Sequence, residues 1–369
     1  MVPAACQAGA IWNQVMSVLE KIKPATAVPS VPDDMEMLRA AVELTRDISA
    51  ARADIYWPDM LLSAALGYGA LAGAILAPSL PLALACAAVA VLALYRALLF
   101  IHELTHIHRT ALPGFRTVWN GLVGIPMLTP SFMYENVHTL HHARTRYGTA
   151  EDPEYLPLAL MKPWSLPAFI LISALLPIGL LIRAAVLVPL GAVVPPLRKL
   201  VWERVSSLSI NPDFRRRPPE GDFARMVHWQ EFGTFVWAWA LLASTQVLGW
   251  RPLLIALAVV SATAVFNQIR TLVAHLWEND GEPMTVTAQY LDTVNVPPPG
   301  IWSEFWAPVG LRYHALHHLL PSMPYHSLGE AHRRLAARLG TGSTYTLANY
   351  PGLFPLVGRI ARSTMLRGR

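Results

Sequence analysis

The stretch Arg312-Tyr313-His314-Ala315-Leu316-His317-His318 places three imidazoles within five residues. Residues three and four apart on a helix share a face, so the spacing predicts that His314, His317 and His318 converge. The same spacing recurs as His138-Thr139-Leu140-His141-His142, and His102-Glu103-Leu104-Thr105-His106 sets two more imidazoles one turn apart. Eight of the 13 histidines therefore fall into three clusters. Imidazole is the commonest metal ligand and is costly to bury without a partner, which favours a shared metal site over scattered surface histidines. Zinc takes about four ligands and iron about six, so eight imply two ions. Two neighbouring ions with many nitrogen ligands, placed beside lipid, point to iron and oxygen activation rather than to zinc hydrolysis.

The rest of the chain sets those clusters in a membrane. Hydrophobic residues make up 54% and charged residues only 14% of 369, against about 25% charged in soluble domains, so the chain reads as an all-α integral membrane protein. A net charge of +5 suits basic cytoplasmic loops, and nothing resembles a nucleic-acid recognition face. The two cysteines, Cys6 and Cys86, are far apart and form neither a disulfide framework nor a CxxC pair.

Read in order, residues 1–32 carry no secretory signal pattern and end in a proline-rich linker, and 32–53 read as an amphipathic helix on the membrane surface or against the catalytic domain. Segments 60–77 and 82–101 form a first membrane hairpin that delivers His102 and His106 to a membrane surface. Segment 164–194 is apolar but interrupted by Pro177, Arg183 and Pro189. An odd crossing there would separate the second cluster from the third, so it is expected to make no net crossing. The connector 198–225, with Arg215-Arg216-Arg217, reads as a solvated loop attracted to anionic lipid. Segments 232–248 and 253–269 form a second hairpin, and Ser327-Leu328-Gly329-Glu330 has the form of a capping box opening a helix that ends near Gly340. The expected architecture is thus four transmembrane helices in two hairpins with a cytoplasmic helical cap carrying the histidines. The linker and amphipathic helix occupy 1–56, the catalytic domain 57–340 and a basic tail 341–369. The basic flanks at Arg46, Arg52, Arg109 and Arg116 put the clusters and both termini on the cytoplasmic side.

His102-x3-His106, His138-x2-His141-His142 and His314-x2-His317-His318, in that order relative to the membrane segments, resemble the three histidine boxes of the membrane fatty acid desaturase and hydroxylase family. Gly148-Thr149-Ala150-Glu151-Asp152-Pro153-Glu154-Tyr155 and Leu319-Leu320-Pro321-Ser322-Met323-Pro324-Tyr325-His326 are similar to its bacterial branch, which implies a bacterial inner membrane. The resemblance also implies a further ligand on the last hairpin's extension, where His275 stands, and two non-haem irons with O2 as co-substrate. It implies a fatty acyl lipid or acyl thioester as substrate. No electron-carrier fingerprint is present in the chain, so a protein such as a ferredoxin or rubredoxin with its reductase would supply electrons. Desaturation is the expected reaction and hydroxylation by the same site the alternative.

Individual residues carry further expectations. Glu135, Asp152 and Glu154 are candidates to accept the second N–H of a ligating histidine. His108 faces away from its box, with a surface role or one behind the ligands, and His326 precedes the Ser327 cap. His228 and His332 read as interfacial and solvated. Thr271 and Trp277, near His275, are candidate liners of a substrate slot by position. His102-Glu103-Leu104-Thr105-His106 also matches the H-E-x-x-H pattern of zinc proteases with Glu103 as base, a distant alternative that leaves most clustered histidines unused.

Overall fold

The computed structural model describes residues 31–365, so Cys6 and the expectations for 1–30 and the last four residues lie outside the described residues. Helices, turns and isolated bridges make up the fold, with no strand among the described residues. Helix α1 (Met35–Glu43) begins where the Asp34 carboxylate accepts from Met37 N at 3.0 Å. It is shorter than the sequence suggests, and the Thr45 hydroxyl donates to the Ala41 carbonyl oxygen just past its end. Met37, Ala40 and Ala41 pack on Tyr290, Tyr313 and Leu335, so the amphipathic face covers the catalytic cap.

Helices α2 (Ala53–Leu76) and α3 (Leu80–His106) form the first hairpin. Gly67 allows the close approach, since a Cβ there would meet the Leu94 side chain at 2.6 Å. Helix α3 runs through the first box without a break, so both of its histidines ride on a regular helix. The second box lies on the short α4 (His138–His141).

A long helical run, α5 (Ser165–Val193), tightens to a 3-10 turn at Ile172–Leu175 and widens to a π turn at Arg183–Leu187, with Pro177 and Pro189 just beyond those irregular turns. After α6 (Pro195–Val205) come α7 (Gly221–Leu248) and α8 (Arg251–Leu272), turned at Gly249 with φ +71°. By length and composition α2, α3, α5 and α8 could each cross a membrane. In α7 the charges of Asp222, Arg225 and Glu231 precede an apolar part at 232–248.

The two ends of the α5–α6 segment meet. Ile210 N donates to the Pro153 carbonyl oxygen at 2.9 Å, and the Asn211 amide donates to the Ala150 and Asp152 carbonyl oxygens at 3.1 and 2.9 Å. The two ends of the segment are therefore fastened to each other. Arg183 is buried and pairs with Glu231 at 2.7 Å, where Arg198 also reaches at 2.6 Å. A charge at that place is paired within protein rather than exposed to lipid.

Two sequence expectations change here. Arg216 is buried, not solvated: its guanidinium donates to the Phe132 and Glu135 carbonyl oxygens at 2.5 and 2.7 Å and lies 4.8 Å over the Trp202 ring. It ties the connector to the turn before the second box. Helix α9 (Val286–Asp292) and α10 (His314–Leu319) precede α11 (Leu328–Leu339), which stops at Gly340 with φ +77°. No Ser327 side-chain cap forms on α11, because its hydroxyl is bonded to His326 Nδ1 at 3.0 Å. A final amphipathic helix, α12 (Leu353–Met365), packs Leu356 and Ile360 against Leu272, Val273 and Trp277.

Candidate metal centre

Each box histidine is fixed by the element that carries it. His102 and His106 occupy the last two turns of α3, and the turn before α4 is held by the Gln230 and Asn120 side chains, which accept from Phe132 N and Ser131 N at 3.0 and 2.8 Å. His275 follows α8 on a bridge to Thr293, and the same segment receives α10 through Ala315 N to the Val294 carbonyl oxygen at 3.1 Å. Asn295, fully buried, accepts from Leu316 N at 3.0 Å and so sets the third box beside His275.

The nine histidines form two groups. His102, His106, His138, His142 and His317 bring ligand atoms within 4.8 Å of one another, and His141, His275, His314 and His318 do the same. The boxes thus split rather than each converging as a unit. His314 and His318 share a group, with Nε2 atoms 3.2 Å apart, while His317 turns to the other and lies 3.1 Å from His142. Neighbours on a helix project about 100° apart, so His141 and His142 face different groups, as do His317 and His318. The two groups adjoin where His142 and His318 stack at 4.2 Å between centroids.

Carboxylates and tyrosines stand behind the rings. His141 Nδ1–H donates to Asp152 at 2.9 and 3.0 Å, and Asp152 also accepts from Gly148 N and Glu154 N at 2.9 and 2.8 Å. His138 Nδ1 lies 2.9 Å from Glu154, which accepts from the Tyr134 hydroxyl at 2.8 Å. His275 Nδ1–H donates to the Tyr147 hydroxyl at 2.9 Å, which donates onward to Asp292 at 2.7 Å. These bonds assign the ring proton to Nδ1 and leave the Nε2 lone pair pointing inward.

Burial and the neighbouring imidazoles hold His138, His142, His314, His317 and His318 well below the usual imidazole range; burial and the nearby His141 and Arg270 do the same for His275. Burial also lowers His141, but the charge and hydrogen bond of Asp152 outweigh it and leave that ring raised. Burial pushes Glu154 and Asp292 up to about 7, against the hydrogen bonds of Tyr134 on one and Tyr147 on the other. Nε2 of His275 stands 3.1 Å from Nε2 of His314, and Nε2 of His138 3.0 Å from Nε2 of His142. Neutral lone pairs converging in a dry site need a cation between them. Five and four imidazoles fit two such ions.

A family model for "Fatty acid desaturase" matches residues 76–348, which spans all three boxes and His275. The chain belongs to the fatty acid desaturase family. It is also 48% identical over 331 residues, 89% of this chain and 94% of the other, to a protein of Caulobacter vibrioides named "Ceramide hydroxylase". As a desaturase-family member it is an integral membrane oxidoreductase.

Within this desaturase-family chain the remaining candidates fall in different places. Glu135 carries no bond to an imidazole and pairs instead with Arg116 at 2.5 Å, with Arg109 at 3.8 Å. His108 is exposed and bonds Thr110 at 2.8 Å, and His326 accepts from Arg52 N at 3.2 Å; neither belongs to either group. A cavity of about 400 Å³ lined by His106, His108, Arg109 and Arg116 opens beside the first box. Thr271 is half-buried in the last turn of α8. Trp277 is fully buried, donates to the Leu272 carbonyl oxygen at 2.7 Å and packs 5.1 Å from His275. His228 is exposed as expected, but His332 is buried and bonds the Tyr345 hydroxyl at 2.8 Å.

Glu103 is tied to the first hairpin and to the segment after the third box. It accepts from the Tyr56 hydroxyl and from Tyr325 N, the latter at 3.2 Å, both through Oε2, while Oε1 lies 3.8 Å from His102 Nδ1. Sequence reasoning missed Tyr134, Tyr147, Asp292 and Asn295. Tyr134, four residues before His138, had a helical-spacing signal; the others are joined to the site only by the tertiary fold.

Proposed function

We propose that the chain is an O2-dependent di-iron hydroxylase that places a hydroxyl group on a ceramide or a closely related acyl lipid. The observation that carries the reading is the coincidence of two converging imidazole groups with 48% identity to a protein named "Ceramide hydroxylase" over nearly its whole length. The sequence led to desaturation as the main expectation, and the relative favours its alternative. Metal ligands do not separate the two reactions, because both begin by taking hydrogen from a methylene.

The net reaction converts R–H, O2, two electrons and two protons into R–OH and H2O. Two irons held by the imidazole groups would supply O2 reduction and attack on an unactivated C–H bond. Imidazole is a suitable iron donor, and His102, His106, His138, His142 and His317 would hold one ion, His141, His275, His314 and His318 the other. Asp152, Glu154 and Tyr147 keep the rings oriented and raise their basicity. Seven of the nine rings are buried to 9% exposure or less, with His106 and His142 partly buried, which limits the access of bulk water to the reacting atoms. An external protein such as a ferredoxin or rubredoxin with its reductase would supply the electrons, and the site would face the cytoplasm of a bacterial cell.

The test is turnover of a chain-deuterated ceramide under 18O2 by purified protein with a reductase system. Loss of one deuterium with gain of one 18O supports the reading. Vicinal loss of two deuteriums without oxygen gain would return the site to desaturation.

A further inference from the structure

Arg270 lies in the last turn of α8, five residues before His275. Tyr95 faces it from α3, seven residues before His102. Since α3 and α8 both run from the membrane to the metal ligands, these two side chains stand on the membrane side of the centre. That is the side from which a lipid must arrive.

Arg270 is only 8% exposed, and among the described residues no carboxylate pairs with it. Its guanidinium donates to Asn267 Oδ1 at a long 3.3 Å, within its own helix, and Nε has no acceptor. Tyr95, whose hydroxyl donates to the Trp306 carbonyl oxygen at 2.9 Å, is its other polar neighbour. Both partners are neutral. A guanidinium offers five N–H donors, and a buried charge left without an anion or a full set of acceptors is strongly unfavourable. Two metal cations nearby would make it more so. Unlike Arg183, which is paired with Glu231 at 2.7 Å, Arg270 has donors left for a ligand.

We infer that Arg270 is a substrate-binding residue that donates to the amide carbonyl oxygen of the lipid and so holds the carbons beside that amide over the metal centre. The choice of ceramide rests on the hydroxylase reading above; the unpaired donor does not. Arg270 lies five residues before His275, so the anchor stands next to the group that His275 shares with His141, His314 and His318. A carbonyl anchored there selects positions a few bonds from the polar end of the lipid. A mid-chain methylene would lie too far away.

Equilibrium binding to the full-length, metal-loaded chain in lipid nanodiscs tests this with two ligands, ceramide and its thioamide analogue, whose sulfur is a poor acceptor. The wild type is expected to prefer the amide by about tenfold or more, the scale of a hydrogen bond from a charged donor. Arg270→Gln should erase that preference while keeping both metals. Equal affinities in the wild type, or the same preference in Arg270→Gln, would overturn the inference. Should Arg270→Gln lose metal, Arg270→Lys and the wild-type comparison still decide. Binding that passes this test beside a failed 18O2 experiment would sink the hydroxylase reading and leave the contact standing; the reverse outcome would do the opposite.

Discussion

Asp152 accepts the His141 Nδ1–H through both carboxylate oxygens, at 2.9 and 3.0 Å, while its backbone carbonyl oxygen accepts from Asn211 at 2.9 Å. One residue thus orients a candidate metal ligand and fastens the connector that closes the α5–α6 segment. Asp152→Asn keeps the shape but replaces one acceptor oxygen with a donor that opposes the His141 proton. Metal affinity in the His141 group should fall about 10- to 100-fold, with the His106 group little changed. Competition with a chelator of known affinity measures it, and equal weakening of both ions would argue that Asp152 supports the fold alone.

Glu103 tests the protease alternative. Its contacts, the Tyr56 hydroxyl and Tyr325 N, can be accepted equally by an amide oxygen. Glu103→Gln is therefore expected to retain both metals and turnover within a few-fold. A collapse of activity by several orders of magnitude with metal content intact would restore Glu103 as a base.

Topology follows from the meeting of Ala150 with Asn211. Cysteines introduced at 150 and 210, in a chain with Cys6 and Cys86 replaced, should react with an impermeant reagent from the same side of sealed vesicles. Labelling from opposite faces would contradict the fold.

The box histidines were legible because their spacing is local: a helix fixes which side chains share a face before any tertiary contact forms. The division between two groups was not, since His317 joins the first box only after α10 has docked against α3 and α4. For the same reason three acids near the second box looked alike in sequence. The fold then gave Asp152 and Glu154 to imidazoles and Glu135 to Arg116. Charge alone misplaced Arg216 and His332, whose burial depends on partners more than sixty residues away for the first and on packing against α1's neighbours for the second. Apolar length marked α2, α3 and α8 as candidate spans, but it also marks α5, which was expected to make no net crossing, and does not mark α7, the expected first arm of the second hairpin.

His332 gives a pH effect outside the metal centre. Burial, with the nearby Arg312 charge, lowers it to about 4, so the folded chain resists the proton that the unfolded chain takes up near 6.5. This contribution is present above pH 6.5 and is lost as pH falls towards 4. His332→Gln, which can still accept from Tyr345, should lessen the fall in thermal stability across that window relative to wild type. Parallel pH profiles for the two proteins would refute the assignment.

Metal content per chain bears most directly on the central claim, that nine histidines hold two ions in a five-and-four division. Purified wild-type protein, analysed by plasma emission, should carry about two irons. Replacing His106 or His314 with alanine should leave about one, because each belongs to a different group. One tightly held zinc that survives loss of His314 would contradict the account.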